Sequence, residues 1–386
     1  MLISSKSINL LSEKLDSCDE VFCSGLFLSA RWFVVSQLDY DGIQLIVLPD
    51  KESAEYCAAD LYNLVEGDCV FFLPDSGKKL ERSNYKSTLG VQRTSAIGKI
   101  LDYKEGRLIV VTYPSAIEEG IPSEGKIRES LLKLTVGDEI SRDEMVDKLF
   151  GSGFERVDFV SEPGQFAVRG ALVDIFSYSY SDPFRISFFG DEIETINIFD
   201  CNTQLSKEKV GEAEIYPDVT VSGEGESETR IADILPSETL VWLDSSDMYR
   251  NKEFYPLLER FRRIYMELPL SRQNEDAVRF NIAPQPVFNK NFELLTEDIR
   301  KKLEEGYRVR IYGEKKSQLD RLQSILSQNG GYIPEFVAGK NIHNGFIDND
   351  EKVCCYSDHE IFDRFHRVSI RRTVEKSEQL TINDLT

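Results

Sequence analysis

Gly25 closes a short apolar run, "VFCS", and four residues later Ala30, Arg31 and Trp32 open a segment of helical character. Phosphate-binding loops are laid out in this way: in G-x-x-x-x-G-K-[ST], glycine N–H groups wrap the phosphates, a lysine reaches the β and γ positions, and a hydroxyl holds Mg²⁺. Gly25 keeps the first turn, but Ala30 stands in place of the second glycine, Arg31 of the lysine and Trp32 of the hydroxyl. An indole only donates hydrogen bonds and cannot coordinate Mg²⁺. The other half of such a site is an aspartate ending a buried strand, followed by a residue that orients the attacking water. "LVWLDSSD" supplies Asp244, but the next residue, Ser245, cannot act as a carboxylate base. Gly25, Ala30, Arg31, Trp32, Asp244 and Ser245 therefore read as a degenerate nucleotide site with no catalytic residue. Taken alone, the Gly25 pattern is weak, and a strand-turn-helix with no ligand history is the simpler reading.

The elements that would hold these residues are α/β. From residue 20 to about 125, continuous apolar runs ("GIQLIVLPD", "DCVFFLP", "GRLIVVTYP") alternate with helical stretches such as "KESAEYCAADLYNLV". That alternation predicts a parallel sheet covered on both faces. Near residue 126 the character changes. Ser141 and Glu144 form a capping box ahead of a helix whose apolar period is Met145, Leu149 and Phe150. Strands of period two follow in "FERVDFV", "GQFAVRGALVDIFSYS" and "PFRISFFGDEIETINIFD", with a hairpin corner at Gly190-Asp191. The α/β pattern resumes at "ADILPSETLVWLDSSDMY". A Pro-rich crossing, "APQPVFNKNF", leads to a last α/β unit with Leu295, Ile299 and Leu303 on a helix over 296–305 and Leu319, Leu322 and Leu326 on a second helix stopping at Gly330-Gly331. The expected architecture is a helicase-like (P-loop type) parallel-sheet domain in two parts, 1–125 and 206–285. An α+β domain, 126–205, is inserted into it, and a small α/β third domain with a linker, 286–386, follows.

The formal net charge of −21, from 46 basic and 67 acidic residues, opposes a grip on naked nucleic acid, which depends on Lys and Arg neutralising phosphates. A basic tail of Arg364, Arg367, Arg371 and Arg372 is the best support for a DNA-binding reading, and such a run is more often a solvated helix face. Seven scattered cysteines make no C-x-x-C pair, so neither a disulfide framework nor a metal site is expected. Adjacent Cys354 and Cys355, near His359, fall in a strand-like run where neighbours face opposite ways. No apolar run reaches eighteen residues and no leader is visible, which together predict a cytoplasmic protein without a membrane partner.

The order of segments carries more than any one motif. The run from "LLKLTVGDE" through "FAVRGALVDIF" to "FRISFFGDEIE" resembles the inserted second domain shared by the excision-repair protein UvrB and the transcription-repair coupling factors of the Mfd family, over about eighty residues. UvrB has an intact phosphate loop and a long aromatic β-hairpin. Here "GLFLSARW" and "LDSSD" replace the first, and the interval with the single Tyr85 replaces the second. Both losses, the third domain and "YSDHEIFDRFHR" are similar to the N-terminal region of the Mfd family.

The resemblance implies a non-catalytic, monomeric adaptor region without a cofactor of its own, which binds UvrA through the inserted domain and recruits nucleotide excision repair to stalled RNA polymerase. ATP, Mg²⁺, RNA polymerase and DNA would then be engaged by C-terminal motor domains that follow in the family. An ATP-binding UvrB-like repair helicase subunit is the alternative. The family's contact residues for UvrA fall on Arg169, Arg185 and Phe189. The strand period puts Arg185, Ser187 and Phe189 on one face and Ile186 and Phe188 on the other. An exposed aromatic beside guanidinium groups has the composition of an interface hot spot, and the arginines could pair with a partner's carboxylates. Phe189 is either such an anchor or is covered by the hairpin return.

Overall fold

The structure, a computed structural model, describes residues 3–77, 83–180, 182–219, 229–245, 249, 252–268, 276–328 and 333–364. Arg367, Arg371, Arg372 and Gly330-Gly331 lie outside the described residues, and only the backbone is described for Tyr85 and Ser245. No described helix is long and apolar enough to cross a membrane.

The described residues divide into two compact units, one drawn from residues 3–70, 105–114 and 236–364 and the other from 71–104 and 115–235. In the first, six parallel strands follow one another in the order Val278–Arg279, Glu20–Ser24, Arg262–Glu267, Leu240–Ser245, Ile43–Val47 and Leu108–Thr112. Ile43–Val47 and Leu108–Thr112 are buried at every position, as expected of parallel strands packed on both faces. The helix Lys51–Leu64 starts where the Asp50 carboxylate accepts from the Ser53 N–H at 2.8 Å, which satisfies one of the free donors of its first turn.

The same unit holds a five-stranded sheet in the order Ile282–Pro284, Phe346–Asp348, Val353–Ser357, Arg308–Gly313 and Glu335–Ala338, antiparallel at the first two pairings and parallel at the last two. Its helices are Phe292–Glu304 and Lys316–Gln328. Leu295, Ile299, Leu319, Leu322 and Leu326 enter one core with Val309, Ile311 and Tyr356, while Leu303 only packs against it. The first helix begins four residues before the expected start because Asn291, whose side chain accepts from the Leu294 N–H at 3.0 Å, caps it.

The second unit is built on a six-stranded sheet in the order Ser206–Val210, Glu192–Phe199, Phe184–Phe189, Leu172–Ile175, Gln165–Arg169 and Glu155–Arg156. The four inner strands are antiparallel. One face carries Phe166, Val173, Ile175, Phe184, Ile186, Phe188, Ile193 and Ile196 into the core, together with Met145 and Leu149 of the helix Arg142–Gly151. Each such aromatic or branched side chain contributes roughly 1.5–3 kcal/mol when fully buried. Ser141 caps that helix by accepting from the Glu144 N–H at 3.1 Å. Phe150 departs from the expected apolar period: it is exposed, with its ring edge-on to that of Phe166. Phe150 lies 100° round the helix from Leu149, beyond the arc that Met145 and Leu149 bury. The helix Ser83–Leu101 fills the interval where an aromatic hairpin would stand, and its Val91 joins the same core.

Candidate functional site

The sheet face opposite the core of the second unit is where the candidate docking residues stand. Asp174 lies directly across from Arg185, Leu172 from both Arg169 and Ser187, and facing residues of antiparallel strands point the same way. Arg169, Leu172, Asp174, Arg185, Ser187 and Phe189 therefore share one face. Phe189 is 76% exposed and Phe188, its neighbour, is buried. The hairpin return at Gly190-Asp191 leaves the Phe189 ring in solvent, although the next strand pairs with it through Glu192.

Arg169 and Arg185 meet at one carboxylate, a residue that the alternation in "LVDIF" places on this face but whose partners only the strand register reveals. Asp174 is 1% exposed. Arg185 donates Nε to Oδ1 at 2.7 Å and Nη2 to Oδ2 at 2.9 Å, a bidentate pair, and the Arg169 Nη2 is bonded to Oδ2 as well. Arg185 further donates Nη1 to the Gln204 carbonyl at 3.1 Å and Nη2 to Gln204 Oε1 at 3.0 Å, with its Cζ 4.2 Å from the Phe199 ring centroid. The hydrogen bonds and charge of Asp174 hold the Arg185 guanidinium above its ordinary pKa against the opposing effect of burial. The arginines thus find an acidic partner within their own sheet. Arg169 lies against the ring of Phe159, a second exposed aromatic that sequence reasoning passed over, at 5.0 Å. Its signal was faint: the strand expected in "FERVDFV" is only Glu155–Arg156, so Phe159 sits in a loop that carries no alternation.

In the first unit, Gly25, Ala30, Arg31, Trp32 and Asp244 are brought to the carboxyl ends of the parallel strands, where open α/β sheets bind ligands. A cleft of about 290 Å³ is lined there by Arg31, Trp32, Asp50, Tyr56, Asp244 and His343, among others. Gly25 has φ +69°, and a Cβ on it would lie 2.2 Å from the Phe280 carbonyl oxygen, so only glycine fits. Arg31 is hydrogen-bonded through Nη1 to Asp244 Oδ1 and through Nε to the Leu28 carbonyl at 3.2 Å, with its guanidinium 4.8 Å from the Trp32 ring centroid. The N–H groups of Arg31 and Trp32 point back at the carbonyls of Leu28 and Ser29, at 3.3 and 3.0 Å. Ala30 and Trp32 are buried. Ser245 continues the strand of Asp244, in register with Glu267.

A second network tightens the same loop. Ser29 Oγ donates to Asp60 at 2.6 Å and accepts from the Asn344 N–H at 2.9 Å, while the His343 N–H donates to the other Asp60 oxygen at 2.7 Å. Burial raises the Asp60 carboxyl from 3.8 to about 7 against the opposing pull of these donors. The His343 ring stacks on Tyr56 with centroids 3.5 Å apart.

The family model of the UvrB interaction domain matches residues 132–220, which contain the whole docking face. Among curated proteins, a transcription-repair-coupling factor of Mycobacterium bovis is 34% identical over 187 residues, 46% of this chain and 15% of that protein. That of Bacillus subtilis is 30% identical over 213 residues, 54% of this chain and 18% of that protein. A UvrABC system protein B of Streptococcus uberis is 36% identical over 145 residues, 37% of this chain and 21% of that protein. The chain thus spans no more than about a fifth of these relatives. Residues 132–220 thus match the UvrB interaction domain model, on a chain that over about half of its length is similar to the transcription-repair-coupling factors.

Proposed function

We propose that this chain is a non-catalytic adaptor that binds UvrA through the sheet face bearing Arg169, Arg185 and Phe189 and so brings nucleotide excision repair to stalled RNA polymerase. The observation that carries the reading is the exposure of Phe189 on the same face as both arginines, in residues that match a UvrB interaction domain. Aromatic and Arg side chains dominate interface energetics, and Phe189 and Phe159 are both exposed. In this reading ATP, Mg²⁺, RNA polymerase and DNA are engaged by other domains of the family, and this chain works as a cytoplasmic monomer.

The alternative, an ATP-binding UvrB-like repair helicase subunit, draws on the cleft at the strand ends. The residues there fit a nucleotide and its metal poorly. Arg31, where a phosphate-binding lysine would stand, is tied to Asp244, where a Mg²⁺-associated carboxylate would stand, and the buried Trp32 has no oxygen to offer. Capture of purified UvrA by the immobilised chain tests the leading reading: retention is expected, and no retention at micromolar concentrations of both proteins would contradict it. Turnover of ATP by the chain would favour the alternative.

A further inference from the structure

The cluster of Arg169, Asp174 and Arg185 carries a single net positive charge, and its two arginines are not equivalent. All three nitrogens of Arg185 are engaged by Asp174 and Gln204, and its side chain is half as exposed as that of Arg169, 17% against 34%. Arg169 gives only Nη2 to Asp174, and no bond within the described residues uses its Nε or Nη1. A guanidinium is a planar fork, so fixing one nitrogen on a buried carboxylate also fixes the direction of the others.

Resting on the docking reading above, we propose that Asp174 is the positioning residue of this face. It holds Arg169 as the arginine that meets a single carboxylate or carbonyl pair on the partner, while Arg185, itself held by Gln204, braces Asp174 from behind. The partner surface that fits has an acidic group for Arg169 beside an apolar pocket, since Phe159 and Phe189 are both exposed. Lysine at 169 would keep the charge but not the fork, because one ammonium cannot stay on Asp174 and present a second, outward-directed planar edge.

The test is calorimetric titration of purified UvrA against the full chain at several salt concentrations, with circular dichroism of each variant. Wild type is compared with Asp174→Asn, Arg169→Gln, Arg169→Lys and Arg185→Gln. Asp174→Asn and Arg169→Lys are each expected to weaken binding at least tenfold. Arg169→Gln is expected to flatten the dependence of affinity on salt more than Arg185→Gln does. Asp174→Asn in the Arg169→Gln background is expected to add less than twofold. Wild-type affinity in Arg169→Lys, full additivity in the double variant, or a salt dependence lost with Arg185 rather than Arg169 would each overturn the proposal. Arg169 is a surface residue, so its two variants decide the matter even if Asp174→Asn fails to fold. No binding by wild type would instead refute the docking reading itself.

Discussion

Phe188 and Phe189 are adjacent in sequence and opposite in burial, 6% and 76% exposed. The strand between Leu172–Ile175 and Glu192–Phe199 turns one ring into the core of the second unit and the other into solvent. Truncating the two should therefore have different consequences. Phe188→Ala is expected to destabilise the chain by about 3–5 kcal/mol, the usual cost of emptying a buried aromatic site. Phe189→Ala should change stability by less than about 0.5 kcal/mol, as surface substitutions do. Urea denaturation of the two variants checks this, and equal losses would show that Phe189 is packed.

Arg185 is a structural residue as well as a candidate contact. Arg185→Ala leaves the buried Asp174 with Arg169 alone, so a loss of roughly 1–3 kcal/mol of stability is expected, the penalty of under-satisfying a buried carboxylate. Thermal unfolding that is unchanged in this variant would mean that Asp174 is readily hydrated. Any affinity measured with Arg185→Ala must accordingly be read beside its stability.

Gly25 was legible as a turn from its place after "VFCS", and Arg31 and Asp244 as altered members of one site. That they bond to each other was not legible, because the two residues are 213 apart in the chain and meet only because the strands Glu20–Ser24 and Leu240–Ser245 flank Arg262–Glu267 in one sheet. The same limit hid Asp174. Period two assigns a face to each residue, whereas an ion pair between strands needs the register. Phe150 shows the converse, an apolar residue in a helix whose inward arc was already filled by Met145 and Leu149.

Replacing Gly25 with alanine tests the close approach of the loop to Phe280. The positive φ and the 2.2 Å contact should together cost more than about 2 kcal/mol. A shift of the urea midpoint smaller than the error of the fit would contradict that geometry.

Asp60 should make the first unit pH-sensitive. Its folded pKa is about 7 and its ordinary value 3.8, so the native state retains a proton that the unfolded chain has lost. The corresponding stability is complete below about pH 4 and is lost as pH rises to about 7, with a slope of at most about 1.4 kcal/mol per pH unit. Glu360 and Asp348, also raised by burial, add to the slope in the same direction, so the informative quantity is the difference between wild type and Asp60→Asn. The variant is expected to show a flatter profile between pH 4 and 7 in chemical denaturation. An identical profile would mean that Asp60 titrates as an ordinary carboxylate.

The cleft at Arg31 and Asp244 should be silent toward nucleotide. Titration of the chain with ATP and Mg²⁺ is expected to give no heat of binding, and Asp244→Asn should lower stability by no more than about 1 kcal/mol because the ion pair is partly exposed. Saturable binding of the nucleotide would return the enzyme reading to the front.

The account turns on the outward face of one sheet, and a single comparison addresses it most directly: calorimetric titration of UvrA into the wild-type chain and into Phe189→Ala. Removal of a hot-spot ring that lies outside the core is expected to weaken association by at least about 2 kcal/mol while the fold persists. Equal affinity of the two proteins for UvrA would contradict the claim that this face is where the partner binds.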